Sequence, residues 1–250
     1  MKKSPSKRDA AKKAGSRKAA KTTKSAAKPG KARQAPGKWG AVFLSTTVLL
    51  LALIFIVLPY MYSAGAVSIQ SLENYDAAII ELIFPSITVT YLLLRGWSLS
   101  EVPRCLGLSE DKLNLRMVLY GVILFLAIFA FEVSVGMLQG ITGVQINTNV
   151  GLLLAGTPLW FLAFVAFVGP VCEEILFRGL LVPRIGIVLS AAIFGLLHYG
   201  YGSTLGIDII AAFIFGVIAG YTYKKTGSLY PSILAHILVN LLAVIAFSAL

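Results

Sequence analysis

Long runs of apolar residues, separated by short polar connections, make up the chain from residue 39 onward. Most of these runs are near the roughly 20 residues that a helix needs to cross a bilayer. Asn149–Pro158 could add a partial or re-entrant helix. The pattern predicts an all-α, polytopic membrane helical bundle of about seven transmembrane helices, with six to eight allowed. The predicted spans are Ala41–Tyr62, Ala77–Leu94, Met117–Leu138, Leu159–Val182, Ile185–Tyr199, Ile207–Tyr223 and Leu229–Ala249.

The amino-terminal tail differs sharply in composition from the rest of the chain. Hydrophobic residues make up 57% of the sequence and charged residues 13%, which is typical of a membrane protein. Of the net charge of +11, the segment Met1–Lys38 carries +13, and the remainder carries −2. The tail is rich in Lys, Ala, Ser, Gly and Pro, so we expect it to be disordered. The predicted division is a tail at 1–38 and a transmembrane domain at 39–250, whose motif-bearing core is about 159–250.

The charge distribution also predicts orientation and partners. Lys and Arg are concentrated in alternate connections, which places the amino terminus in the cytoplasm. A basic tail beside a membrane binds anionic lipid headgroups. Such runs bind polyanions in general, but we do not expect nucleic acid to be the partner. The sequence thus indicates an integral membrane protein, which we expect in a bacterial or archaeal cell membrane.

Three polar pairs interrupt the apolar runs, and each has helical spacing. Ionisable groups at membrane depth are costly and are functional candidates, and residues four apart share a helix face. The groups are two carboxylates, two imidazoles, a guanidinium and an amide, which suit water activation and oxyanion stabilisation. They are Glu173-Glu174 with Arg178, Phe194 with His198, and His236 with Asn240.

The three pairs are predicted to lie at one depth. Glu173 and His198 are equally distant from the turn between two spans, whose midpoint falls between Ile185 and Gly186. At a rise of ~1.5 Å per residue, both lie roughly 15 Å from the cytoplasmic end. His236 follows Lys225 by eleven residues and reaches a similar depth. Each pair alone has a structural explanation: an ion-pair clasp, an interhelical hydrogen bond or, for Phe194, simple packing.

The motifs resemble those of the CPBP group of intramembrane proteases, which includes the type II CAAX prenyl endopeptidases of the Rce class. The motifs of that group are EExxxR, FxxxH and HxxxN, and they stand here in that order. The resemblance covers about Trp160 to Leu242. Its three motifs run from Glu173 to Arg178, from Phe194 to His198 and from His236 to Asn240.

The resemblance implies an endopeptidase that cleaves a membrane-associated protein or peptide. Glu173 and His198 would activate water, while His236 and Asn240 would stabilise the oxyanion. Glu174, Arg178 and Phe194 would support the site. We expect no cofactor, and zinc bound by Glu173 and the two histidines is the alternative.

The sequence does not select a substrate, prenylated or otherwise. A non-proteolytic scaffold or a bacteriocin-immunity-type protein with the same fold stays open. A small transporter with buried carboxylates as proton sites is a third possibility.

Overall fold

The structure is a computed structural model that describes residues 45–49, 51–52, 56–65, 74–144, 150–154, 157–201 and 206–248, and all regular structure in these residues is helical. Six helices form its body: α1 Asn74–Leu94, α2 Leu115–Thr142, α3 Leu159–Ile185, α4 Ile187–Leu197, α5 Ile207–Thr226 and α6 Tyr230–Ser248. Shorter helical segments are Leu58–Ser63, Leu99–Glu101, Val102–Cys105, Glu110–Lys112, Val150–Leu154 and His198–Tyr201. The predicted all-α membrane bundle is confirmed.

The described residues contain three or four candidate membrane spans. Within the described residues, α2, α3 and α5 are long and apolar enough to cross a membrane. A fourth span is possible if α1 is counted together with Leu99–Lys112, from which it is bent by 116°. The predicted Ile185–Tyr199 and Leu229–Ala249 spans correspond to α4 and α6, whose apolar stretches are shorter. The count of about seven is therefore not confirmed.

Two predicted features fall partly or wholly outside the described residues. The basic tail, Met1–Lys38, is one of them, and its predicted disorder stays a prediction. The first predicted span, Ala41–Tyr62, is described only in part, with a short helix at Leu58–Ser63. The partial helix anticipated within Asn149–Pro158 is present as Val150–Leu154.

Helix α3 is the central helix, and its backbone is irregular. Leu176, Phe177, Leu180 and Leu181 are fully buried. Two π-helical segments, Phe164–Val168 and Ile175–Leu181, interrupt its α-helical geometry. Each is followed two residues later by a proline, Pro170 or Pro183. Since proline lacks an N–H, the backbone carbonyl that would otherwise accept a hydrogen bond from it needs another donor. Segments of π-helix are frequent at functional sites.

Helices α4 and α5 approach each other closely through small residues. A Cβ added at Gly216 would lie 2.8 Å from the Cβ of Ala191, and one at Gly195 would lie 2.8 Å from the carbonyl oxygen of Ile209. No other residue fits at these positions without a shift of the backbone. This close contact fixes the position of α4 against α5. Helix α4 carries Phe194, and His198 follows directly after its last residue.

Helices α1 and α3 are parallel neighbours. Phe84 packs edge-on against Phe177, with 6.1 Å between ring centroids. Further along both helices, the Arg184 guanidinium lies 4.4 Å from the ring centroid of Tyr91. Both pairs are separated by 93 positions in sequence. A constant offset means that the two helices run in the same direction and in register.

The segment between α1 and α2 packs beneath the α5–α6 turn. Tyr230 donates its hydroxyl to the Leu108 carbonyl oxygen at 2.9 Å. Gly107 lies directly against the backbone of Gly227, and its φ of +75° is in the left-handed region. A side chain at Gly107 would overlap the Gly227 carbonyl oxygen. This contact joins the α1–α2 connection to the α5–α6 turn at one end of the bundle.

Candidate active site

Glu174 and Arg178 form the expected ion pair, one helical turn apart on α3. Arg178 Nη1 lies 2.9 Å from Glu174 Oε1, and both side chains are at most 1% exposed. Neither terminal nitrogen of Arg178 forms a hydrogen bond of good geometry with a described residue. The attraction is therefore mainly between charges, and burial strengthens it because apolar surroundings screen charge poorly.

The Arg178 guanidinium is held by aromatic rings as well as by Glu174. Its Cζ lies 4.3 Å from the ring centroid of Phe194 and 4.9 Å from that of Phe215. Cations over aromatic faces are attracted by the ring quadrupole, most strongly when water is excluded. Phe194 thus supports the buried charge directly, a larger role than the simple packing that its sequence suggested.

His236 on α6 bridges the two glutamates. Its Nδ1 is 3.0 Å from Glu174 Oε1, and its Nε2 is 3.4 Å from Glu173 Oε2. Glu173 is 14% exposed, whereas Glu174 is completely buried. In the contact with Glu174, Nδ1 donates to the carboxylate oxygen, which can only accept. The bridge joins the first and third sequence motifs.

His198 is placed by the second motif itself. Its Nδ1 donates to the Phe194 carbonyl oxygen at 2.9 Å, because a carbonyl can only accept. In the neutral ring this bond fixes the tautomer with the lone pair on Nε2. The imidazole rings of His198 and His236 have centroids 4.8 and 5.8 Å from that of Phe194. Both histidines therefore surround the same phenylalanine.

Asn240 is bound to the irregular backbone of α3. Its Nδ2 donates to the Val165 carbonyl oxygen at 3.0 Å. Within the π segment, the N–H of Gly169 bonds to Phe164, so the next carbonyl, that of Val165, would meet Pro170, which has no N–H. Asn240 supplies the missing donor. An amide nitrogen carries two protons, so this bond uses one of the two.

The described residues do not form a metal site. No group of three or more His, Cys, Asp or Glu side chains among them converges in a way that could hold a metal ion. Both nitrogens of His236 face carboxylate oxygens, whereas a metal ligand needs a nitrogen lone pair. The donor set as arranged does not fit the zinc alternative.

The site also contains residues that the sequence motifs did not indicate. Phe215 on α5 contacts the Arg178 guanidinium and the His236 ring, the latter with 4.9 Å between centroids. Its only sequence signal is an aromatic residue in an apolar helix, which is too common to be informative. Glu81 on α1 lies beside Glu173. A glutamate within a predicted span is itself a functional candidate, so the rule that selected the motifs also applies to Glu81.

We predict that Glu174→Gln destabilises the protein, because it leaves the buried Arg178 charge without its partner. Breaking one side of a buried ion pair costs about 3–5 kcal/mol. In detergent, Glu174→Gln should have a clearly lower melting temperature than the wild type. The double variant Glu174→Gln, Arg178→Met should regain part of that difference, because it no longer contains the unpaired charge. A melting temperature equal to that of the wild type would show that the pair does not stabilise the fold.

Comparison with known protein families agrees with the motif-based resemblance. Residues 155–242 match the family model for type II CAAX prenyl endopeptidases of the Rce1-like kind. Neither a curated protein nor a solved structure is significantly similar to the chain. The matched segment contains every motif residue, helices α3 to α5, and α6 as far as residue 242. The chain therefore carries, at residues 155–242, a membrane-embedded domain of the CAAX protease family, in its Rce1-like branch.

Proposed function

We propose that the protein is an intramembrane endopeptidase of the CPBP type, in which Glu173 and His198 activate water against a peptide bond of a membrane-associated protein or peptide. The observation that supports this most strongly is the convergence of all three motifs around Phe194, inside apolar helices. An ion pair with a purely structural role would need only Glu174 and Arg178. Glu173 and the two histidines are not needed for such a pair, and their carboxylate and imidazole groups are the kinds of group that catalyse hydrolysis.

Water activation is assigned to Glu173 and His198. Glu173 is the less buried of the two glutamates, so it is the one that a water molecule can reach. The Phe194 carbonyl accepts a hydrogen bond from Nδ1 of His198, so the lone pair of the neutral ring is on Nε2, the atom to which we assign the proton-accepting role. In the proposed step the water oxygen attacks the carbonyl carbon, and its proton passes to Glu173 with His198 as partner. The proton then goes to the leaving amine as the C–N bond breaks.

Oxyanion stabilisation is assigned to His236 and Asn240. The Nδ1 side of His236 is fixed by Glu174, and its Nε2 lies beside Glu173, where the attacked carbonyl would sit. Asn240 is one turn further along α6, and its second amide proton is suited to an oxyanion. Arg178 contributes indirectly, because it holds Glu174 in place. We assign the site to the cytoplasmic side because of the Lys/Arg bias of the connections.

Glu173→Gln and His198→Ala should each abolish cleavage while the protein stays folded in membranes. Each removes one member of the proposed water-activating pair and leaves the Glu174–Arg178 ion pair in place. The measurement is single-turnover cleavage by purified protein in proteoliposomes, with Glu132→Gln on the exposed face of α2 as a control. Cleavage by Glu173→Gln at the wild-type rate would refute the assignment and favour a scaffold function.

Asn240→Ala should reduce kcat by about 10²–10³, the usual cost of losing one oxyanion donor, with a smaller effect on KM. Because Asn240 also donates to Val165, thermal unfolding must be measured in parallel. If Asn240 only satisfies that backbone carbonyl, the variant will lose stability while the folded fraction turns over normally.

Activity should be independent of metal. The mechanism needs only side chains, and His236 already faces two carboxylates. Purified active protein should contain far less than one zinc per chain and should keep its activity after prolonged treatment with a chelator. Zinc at one equivalent, removed together with activity and restored with it, would replace this mechanism with a Lewis-acid mechanism.

A further inference from the structure

Glu81 lies in a helix outside the family-matched segment, yet it is aligned with the proposed catalytic residues. The pairs Phe84–Phe177 and Tyr91–Arg184 set the register of α1 against α3. Three residues before Phe84, on the same face of α1, is Glu81. The same offset places Glu81 at the level of Glu174, and its carboxyl group lies within hydrogen-bonding reach of that of the adjacent Glu173.

One oxygen of the Glu81 carboxyl group, Oε2, has no hydrogen-bond donor among the described residues, and it is buried. A buried carboxyl oxygen without a donor is costly, and in hydrocarbon the cost is higher still. Lipid-facing or packing positions favour apolar residues, so packing alone does not explain a glutamate here. The carboxyl group beside it, that of Glu173, is its natural partner.

Two carboxyl groups can form a hydrogen bond only when a proton lies between them. The charges nearby make this arrangement favourable. Three acidic side chains meet one guanidinium and the bridging imidazole, so without a shared proton the cluster has a net negative charge in apolar surroundings. The ionisable groups that face the pair are Cys172, Glu174 and Arg178 from α3 and His236 from α6.

We infer that Glu81 is a positioning residue for Glu173: its protonated carboxyl group donates a hydrogen bond to the Glu173 carboxylate and orients it toward the attacking water. Glu81 itself does not contact the substrate. One Glu173 oxygen is near His236, and a second fixed contact removes the remaining rotation of the carboxylate group. Pre-orientation of a base by hydrogen bonds is a general way to increase its efficiency. The inference rests on the proposed function of Glu173.

Glu81→Gln and Glu81→Leu form a matched pair of test variants. Glutamine keeps a neutral N–H donor to Glu173, whereas leucine keeps the volume and removes the donor. We expect Glu81→Leu to lower kcat by about 10- to 100-fold, the size expected for one hydrogen bond to a charged group, with KM nearly unchanged. Glu81→Gln should retain most of the wild-type kcat. Glu132→Leu and Glu132→Gln on the exposed face of α2 are the controls.

Stability measurements separate positioning from a structural role. An apolar residue suits apolar surroundings, so Glu81→Leu should melt no lower than Glu81→Gln although it is the less active variant. If Glu81→Leu is poorly folded, a double-mutant cycle replaces it, in which the melting temperatures of Glu81→Gln, Glu173→Gln and the double variant are compared with that of the wild type. A change in the double variant that differs from the sum of the two single changes supports direct contact. A change equal to that sum overturns the inference.

The outcomes also distinguish this inference from the proposed function. If Glu173→Gln still cleaves the substrate, the proposed function itself fails. If Glu173→Gln is inactive but Glu81→Leu has the wild-type kcat, only the role of Glu81 is refuted. Equal losses of kcat in Glu81→Gln and Glu81→Leu would likewise refute a hydrogen-bonding role.

Discussion

The arrangement of the site depends on how one positive charge is accommodated in an apolar interior. Arg178 is among the largest fully buried side chains, and an isolated guanidinium there would be prohibitively costly. Glu174 supplies the opposite charge, and the rings of Phe194 and Phe215 cover the guanidinium. These contacts require α3, α4 and α5 to meet at one point.

The remaining polar groups are arranged around that charge. Glu174 holds His236 at Nδ1, and His236 approaches Glu173 through Nε2. Phe194 contacts both histidine rings and fixes the tautomer of His198 through its carbonyl. Polar networks in a low-dielectric interior are rigid when satisfied and costly when incomplete. Glu174, Arg178 and Phe194 therefore determine where Glu173 and the two histidines lie.

The class of fold and the Glu174–Arg178 ion pair could be predicted from the sequence, because both depend on patterns within one helix. Apolar runs indicate membrane helices, and spacings of four residues identify shared helix faces. The Glu174–Arg178 pair was predictable in this way. The contact between Glu173 and His236 was not, because it depends on how α3 and α6 are rotated about their axes. The bond from Asn240 to Val165 requires a π segment followed by a proline, and no periodicity rule predicts that combination.

The count of spans was harder to predict for a related reason. Hydropathy measures how apolar a segment is, but α4 and α6 owe their apolar character partly to burial within the bundle. A short helix of 11 residues such as α4 looks the same to a hydropathy window whether it faces lipid or protein. The roles of individual catalytic residues, the orientation and the basic tail stay predictions, since the geometry of the described residues does not test them.

The boundary of the family-matched segment does not coincide with a boundary of the folded unit. Gly179 on α3 packs against Leu106, which lies in the connection before α2, and Gly121 of α2 packs against Leu234 on α6. A fragment cut at residues 155 and 242 would leave these close-packed surfaces to acyl chains, which fill space without fixed shape. The helices outside the match provide packing surfaces of fixed shape for the helices inside it. Such a surface requires a complementary shape and apolar side chains but not particular residues. Sequence similarity can therefore end at a position where structural dependence continues.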